Sequence, residues 1–354
     1  MGKATITDIA GKAGVSTATV DRALNGRPGV SPANRQRVLR AAKELGYLPS
    51  EGMVLLPSRP AHLEFLIPFG QNGFMQDIAR GITDFAATLP LVGACNVVML
   101  EDISPDTLVR ALDSLPLATE GVGLITVDHP KTRHAIRRLH DSGIRVVTIA
   151  SDVLNAPRSA YVGVENRVAG RTAAQIMGLM CHTRRGAIAL FVGSRAFHGH
   201  QEREAGFRTL LEEQYPELRI LPVVETGEDS RRSRAAMTGL LRNVPDLVGI
   251  YCVGAGRKGI VEVLKLGSET DRPFVVMHDL TESSRSWLVD DLIDVVIDQN
   301  ARLVAEQAVI RLLGAIAAAS PLLLTKNIEP RIVLRENIPV GPTFPTDSAT
   351  RARR

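Results

Sequence analysis

Residues 4–50 read ATITDIAGKAGVSTATVDRALNGRPGVSPANRQRVLRAAKELGYLPS, and the stretch carries three helix-start signals in succession. Thr5 stands three residues before Asp8, a capping box ahead of the apolar series Ile6, Ile9, Ala10 and Ala13. Gly14 stops that helix, because a left-handed terminating residue costs glycine no Cβ clash. Ser16 caps a second helix that holds Val20, Ala23 and Leu24 on one face. Ser31 followed by Pro32 is a cap with proline at the first helical position, and the third helix is expected to run to Gly46. Two short helices joined by the turn Gly14-Val15-Ser16 make a helix-turn-helix, whose second helix is shaped to enter a major groove.

Charge follows the same boundary. The first 50 residues hold eight Lys/Arg against three Asp/Glu, a net of +5, whereas the whole chain carries +4. The other 304 residues have 34 basic and 35 acidic groups, so the positive excess is confined to the head. Such confinement is the electrostatic footprint of a phosphate-binding surface. At 354 residues and 45% apolar content, the chain has room for two or three domains and a large core. Aromatic content of 4% offers no stacking platform for single-stranded nucleic acid. Cys95, Cys181 and Cys252 are odd in number and form no C-x-x-C, which predicts buried thiols in a reducing compartment. The opening MGKAT has no apolar signal region and no apolar run reaches spanning length, so a cytoplasmic protein without a membrane partner is expected.

Residues 4–50 resemble the DNA-binding head of the LacI/GalR (lactose repressor/galactose repressor) family of bacterial transcription regulators. The matching positions are Thr5, Asp8-Ile9-Ala10, Ala13-Gly14-Val15-Ser16, Thr19-Val20, Arg22-Ala23-Leu24-Asn25, then Val30-Ser31, Arg35, Arg37-Val38, Leu45-Gly46-Tyr47 and Pro49. From about residue 61 the body resembles the family's effector-binding core more loosely. The resemblance implies a small all-α helix-turn-helix head plus an α/β two-lobed, periplasmic-binding-protein-like core with parallel sheets. Its implied boundaries are a head over 1–50, a hinge or linker over 51–62, a core over 63–340 and a tail over 341–354. Within the core, lobe 1 would take about 63–160 and a returning segment about 291–320. Lobe 2 would take about 161–290 and 321–340. The implied function is repression by a homodimer on a near-palindromic double-stranded operator, controlled by a small polar effector such as a sugar, polyol or related acid.

Periodicity in the body supports that architecture independently. Strands are expected at Leu63–Phe69, Asn96–Leu100, Gly123–Val127, Arg145–Ala150, Ala160–Val164, Ala187–Val192, Arg219–Val224, Val248–Val253, Pro273–His278 and Leu292–Ile297, with amphipathic stretches between them. Alternating strand and helix implies parallel sheets covered on both faces. So many strands in one sheet would be unusual, which favours two lobes. Ligands of such sheets bind outside the strands' carboxyl ends, making the cleft between the lobes the expected small-molecule site.

Candidate DNA contacts follow from position on the second helix. Thr17 and Ala18 stand at its N-terminus and Arg22 one turn along the same face. Arg22 suits a bidentate guanine contact worth ~1–3 kcal/mol of discrimination. Ala18 offers a thymine-methyl contact or none. Ser16, Thr19 and Asn25 suit phosphates, which position the helix without reading sequence, and Thr5 joins them at the start of the first helix. In the connector SEGMVLLPSRPAH (50–62), Leu56 falls where the family has a minor-groove wedge. Pro57 directly after it forces any hinge helix to end early. A plain linker with leucines packed on a dimer seam is the alternative.

Effector contacts come from matching alone. Arg203 lies in an R-x-x-G-F segment and offers a planar fork for hydroxyls or a carboxylate. Asp152, Asp279 and Gln299 follow strands, and Phe69, Asn72 and Phe74 follow the first strand. The family's Asn-Asp pair is absent; Gly254-Ala255-Gly256-Arg257-Lys258-Gly259 stands there instead. Taken alone this G-x-G-x-x-G with Asp279 further on is a dinucleotide fingerprint, and a nucleotide-dependent enzyme using that loop is the competing reading. It brings no hydride partner or proton relay. No cofactor is therefore expected, and the loop's N–H groups are read as facing a polar or anionic part of the effector. A periplasmic-type solute carrier is opposed by the missing signal and the basic head. No hydrolase, metalloprotease or P-loop motif is present, and His198 and His200 are read as exposed loop residues rather than metal ligands. Asp290, Asp291 and Asp294 read as a solvated approach to a strand. The helix Asn300–Ala319 reads either as a dimer contact or as an internal crossover, and the tail after Pro345 carries no leucine heptad.

Overall fold

The computed structural model describes residues 5–24, 29–45, 59–68, 72–181, 185–267, 272–317 and 328–339. The head contains α1 (Ile6–Ala13), α2 (Thr17–Leu24) and α3 (Pro32–Glu44). The box at its start is reciprocal: Asp8 N–H donates to Thr5 Oγ1 at 3.3 Å and Thr5 N–H to Asp8 Oδ2 at 2.8 Å. Gly14 takes φ 63° and donates to the carbonyls of Ala10 and Gly11. The three helices bury Ile9, Ala10, Ala13, Val20, Ala23, Val38, Ala41 and Ala42. Alanine at five of those positions lets short helices approach closely enough to share one small core.

The first lobe is a five-stranded sheet. Its strands are β1 (Ala61–Pro68), β2 (Val92–Leu100), β3 (Gly121–Leu124), β4 (Arg145–Ile149) and β5 (Ala160–Val162), in the order β2-β1-β3-β4-β5 and parallel throughout. On β1, Leu63, Phe65 and Ile67 face α4 (Gly73–Ala87), packing with Ile78 and Ile82. Leu66 faces the other way, toward α5 (Pro105–Asp113) and α6 (Pro130–Asp141), with Leu108 and Ile136. Period-two burial on both faces is what a crossover-covered parallel strand requires.

The second lobe contains α7 (Asn166–Cys181), β6 (Gly186–Val192), α8 (His198–Gln214), β7 (Leu218–Ile220), β8 (Val224–Glu225) and α9 (Ser230–Asn243). It continues with β9 (Leu247–Val253), α10 (Arg257–Leu264), β10 (Phe274–His278), α11 (Glu282–Val289), β11 (Val295–Asp298) and, after a crossover to the first lobe, β12 (Arg331–Val333). The sheet order is β12-β11-β10-β9-β6-β7 with β8 also beside β6. Among the described residues only the β11–β12 pair of this sheet is antiparallel.

Two expectations are corrected, and one open alternative is narrowed. The single strand expected over Arg219–Val224 is two, β7 and β8, because Pro222 between them has no N–H for a ladder. The strand assigned to the first lobe's returning segment, β11, instead continues the second sheet beside β10. The helix after it, α12 (Ala301–Ala317), is an internal crossover: it buries Val304, Ala305, Ala308, Val309 and Leu312 against α4 and the first sheet. Cys181 and Cys252 are buried and Cys95 half-buried, and none of the three is in a disulfide. Burial pushes the Cys95 and Cys252 thiols up to about 12, which leaves them protonated and unreactive.

Candidate functional site

On the head, α2 turns Val20 and Ala23 inward and leaves Thr17, Ala18 and Arg22 exposed, with Ser16 exposed just before it and Thr19 half-buried. The hydroxyls of Ser16 and Thr19 are 2.9 Å apart, and Thr19 N–H donates to Ser16 Oγ at 3.2 Å. Both residues therefore build the cap as well as the exposed surface. Thr5 is exposed, but its hydroxyl donates to Asp8 Oδ2 at 2.7 Å, so its proton is spent within the capping box. That bond is the leading reason the Asp8 carboxyl sits below its usual range. Asn25, Leu56 and the other connector residues up to 58, with Phe69 and the C-terminal tail, lie outside the described residues.

In the body, carboxyl ends of strands from both sheets converge on a cavity of about 30 Å³. Asn72 and Phe74 reach it after β1, and Ser151 after β4. Arg203 and His200 come from α8, Glu228 after β8, Gly254 after β9, Asp279 after β10 and Gln299 after β11. Asn72 and Glu228 also line a larger chamber of about 1160 Å³, walled by the N-terminal ends of α4, α9, α10 and α11 and by Trp287. Of the effector residues expected from sequence, Asn72, Phe74, Arg203, Gly254, Asp279 and Gln299 are thus brought to one place.

Asp152 is not. Arg158 pairs with its carboxylate, Thr148 Oγ1 donates to it at 2.7 Å and Val153 N–H at 2.8 Å. Engaged by these partners within its own lobe, it does not line the cavity. Its neighbour Ser151 faces the cleft instead, where Oγ accepts from Gly199 N–H of the other lobe at 3.2 Å. His198 and His200 are not loop residues; both lie in the first turn of α8. The His200 ring sits 2.9 Å from Ser194 O through Nδ1, and burial together with Arg203 pushes its pKa down to about 3. Asp294, expected to be solvated, pairs with Arg272 at 2.7 Å and accepts from Val275 N–H.

Arg203 is 3% exposed, and its Nε donates to Asn166 Oδ1 at 2.8 Å. Asn166 in turn donates to Tyr161 Oη at 2.9 Å and Ala150 O at 3.4 Å. The arginine is therefore tied to the crossover between β5 and α7. Asp279 adopts φ 66°, and its Oδ1 accepts from Gln299 Nε2 at 2.7 Å. Burial raises its pKa, while Arg257 and Arg203 oppose the rise. Backbone in the left-handed region is costly for such a residue and clusters at binding sites.

Glu228 is the residue sequence reasoning missed. It too is left-handed, φ 63°, and its Oε2 accepts from Asn72 Nδ2 of the opposite lobe at 3.2 Å and from Ala255 N–H at 2.8 Å. A Cβ on Gly193 would fall 1.5 Å from Glu228 Oε1, and one on Gly254 2.6 Å from the same atom. Two glycines are thus needed to seat this carboxylate. Burial pushes its pKa up to about 7, against the Ala255 bond and the Arg257 charge.

The glycine-rich loop is explained by the same residue. Its Ala255 N–H is turned onto Glu228, so that amide is already engaged, and a phosphate beside it would face a carboxylate. Gly256 at φ 87° and Gly259, whose added Cβ would lie 1.9 Å from Ser230 O, serve the turn and the close packing of α10 on α9. Among the described residues no cluster of His, Cys, Asp and Glu could hold a metal, and no helix is long and apolar enough to cross a membrane.

Comparison with known proteins places these two sites in one context. Residues 5–50 match the model of bacterial regulatory proteins of the lacI family, and residues 63–318 match a periplasmic binding protein domain. The chain is 32% identical to catabolite control protein A of Priestia megaterium over 149 residues, 42% of this chain and 43% of that protein. It is 43% identical to the HTH-type transcriptional repressor CytR of Escherichia coli over 96 residues, 26% of this chain and 28% of the repressor. The matches therefore span less than half the length of these curated relatives. Among solved structures, an ABC transporter solute-binding protein of Burkholderia graminis superposes with a TM-score of 0.71 at 23% identity, covering 79% of this chain and 96% of that one. That likeness is one of fold. With one model on the head and the other over most of the remainder, the chain belongs to the LacI family of bacterial regulatory proteins.

Proposed function

We propose that the protein is a cytoplasmic transcriptional repressor that binds a near-palindromic operator as a homodimer through α2 and releases or grips it according to a small polar effector in the cleft. The observation that carries the reading is the pairing of two surfaces in one chain. The head confines a net charge of +5 to its 50 residues and exposes Thr17, Ala18 and Arg22 on one helix face. The core collects Asn72, Arg203, Asp279 and Gln299 at the carboxyl ends of parallel strands, where ligands of such sheets bind. Two-fold symmetry of a dimer would place the α2 helices in successive major grooves and make the operator palindromic. The Burkholderia graminis neighbour was crystallised with D-arabinose, which supports a polyhydroxylated, sugar-like effector. Binding in the cleft would change closure of the lobes, with a coupling of about 1–3 kcal/mol to operator affinity. An enzyme reading has no support from the cleft, since its glycine loop already holds Glu228.

The test is selection of bound sequences from a random duplex pool, followed by operator binding in the presence of a metabolite collection. Enrichment of a palindrome, with affinity moved by at least one compound, is expected. Equal binding to every duplex and to scrambled competitor would overturn the proposal.

A further inference from the structure

We infer that the effector of this cleft carries a protonated amine, as in an amino sugar or amino-polyol, and that its ammonium is received by Glu228, Asp279 and Gln299. The inference rests on reading the cleft as the effector site and goes beyond it by fixing the charge of the ligand's inner end.

The first ground is an imbalance of acceptors. Gln299 is 2% exposed, and its Nε2 is spent on Asp279 Oδ1, which fixes the amide orientation and leaves Oε1 buried without a hydrogen-bond partner. Glu228 Oε1 is likewise buried and unpartnered. Two such atoms on residues lining one small cavity depart from the near-universal pairing of buried polar groups. What satisfies them must donate hydrogen bonds.

The second ground is charge. Elsewhere in the molecule the shielded carboxylates Asp77, Asp152, Glu204 and Asp298 each pair with an arginine, whereas buried Glu64 accepts from Asn96 Nδ2 at 2.8 Å. Glu228 and Asp279 line one cavity, and among the described residues neither makes an ion pair. Arg257, the nearest candidate, directs Nη1 at the backbone carbonyls of His278 and Asp279 rather than at a carboxylate. Arg203 is held by Asn166 and remains to meet an acceptor on the ligand, such as a ring oxygen or hydroxyl. A neutral hydroxyl would donate one proton and bring no positive charge to whichever of the two carboxyls is ionised. An ammonium donates three and cancels a charge.

The third ground is size. A cavity of about 30 Å³ admits a single ammonium or hydroxyl but no sugar ring. The chamber of about 1160 Å³ that shares Asn72 and Glu228 with it has room for the rest of the molecule, beside Trp287.

The experiment uses the full-length protein and matched probe pairs that differ only in an amine for a hydroxyl: glucosamine with glucose, galactosamine with galactose, mannosamine with mannose. Binding is read at pH 6.5 by Trp287 fluorescence and thermal shift. At least one amino member is expected to bind about tenfold more tightly than its neutral partner, and Glu228→Gln is expected to abolish that preference. Calorimetry of the wild type in two buffers of different ionisation heat should show proton release, as Glu228 ionises against the ammonium. This measurement needs no variant. The inference is overturned if the neutral member binds as well as its amine or better, or if the preference survives both Glu228→Gln and Asp279→Asn. If neutral sugars bind and no amine does, the amine assignment falls alone. If no compound of either class moves either signal, the effector reading falls with it.

Discussion

Arg203 can present its fork to the cavity only while Asn166 holds its Nε, and Asn166 is itself held to Tyr161 and Ala150. Asn166→Ala would leave a buried guanidinium donor unpaired, which costs about 1–3 kcal/mol. The expected result is a lower denaturant midpoint together with a weaker effector complex. Normal effector binding in a destabilised variant would show that Asn166 supports the fold alone. Glu228 makes a prediction of opposite sign. Its folded pKa of about 7 lies above the ordinary 4.5, so the folded state keeps a proton that the unfolded chain has released. The resulting stability is present in full below about 4.5 and is lost as pH rises toward 7. His200 and His278, shifted downward by burial, act in the other direction at lower pH, so only the difference between proteins is diagnostic. Glu228→Gln should gain about 2–3 kcal/mol over the wild type at pH 8 and much less at pH 5, as read by urea melts at both values. On the head, Arg22→Ala should lose about 1–3 kcal/mol for the operator while binding to unrelated duplex changes little. Equal losses on all sequences would make Arg22 a phosphate contact. Sequence legibility differed among these residues for physical reasons. Arg203 sits in an R-x-x-G-F pattern that a helix-packing glycine makes distinctive. Glu228 sits in Thr226-Gly227-Glu228-Asp229, which has the composition of any surface turn, and only the tertiary placement of Gly193 and Gly254 buries it. Asp152 and Ser151 are adjacent at a strand end, where direction reverses from one residue to the next, so naming the wrong one is a one-residue error.

Elements were readable wherever one physical signal was sufficient. The caps of α1, the stop at Gly14 and the apolar runs of the parallel strands each depend on local chemistry. Failures occurred where pairing partners decided the outcome: β12 is three residues long and exists through β11, and β11 chose its sheet by register beside β10. The contact between α7 and α8 was also invisible in advance, although it positions the site. A Cβ on Gly170 of α7 would lie 2.1 Å from Arg203 O, and one on Gly206 of α8 2.2 Å from Arg167 O. Each helix therefore sets its glycine against the other's backbone, and Arg203 is one of the two residues so approached. Because backbone cannot give way as a side-chain tip does, Gly206→Ala must push the helices apart, at a cost of about 1–3 kcal/mol. The same displacement should carry Arg203 out of register, so effector affinity is expected to fall beyond what the lost stability explains. A variant that is destabilised yet binds normally at a temperature where it is fully folded would separate the two roles.

At the scale of the molecule, the division of charge assigns the two ligands to different physics. The head carries a net +5 while the remaining 304 residues sum to −1, and the cavity residues Arg203, Asp279 and Gln299 are nearly inaccessible. Operator binding by exposed cations should release counterions, and a dimer neutralising about 6–10 phosphates would lose about 10³–10⁵ in affinity between 50 and 200 mM salt. The proposed effector contacts lie within a buried cavity, where screening is weak, and effector affinity should move by less than about threefold over that range. At the cleft the lobes meet through single hydrogen bonds, among them Asn72 with Glu228, Ser151 with Gly199, and Asp128 N–H with Ala196 O. Small differential contacts of the effector can therefore bias closure. Anisotropy of a labelled operator and Trp287 fluorescence, titrated across the same salt series, give the two slopes. A steep loss in the first with a flat second locates DNA affinity in the head and effector affinity in the core. Parallel losses would mean that the effector is captured by surface charge, and the buried cavity would then cease to be its site.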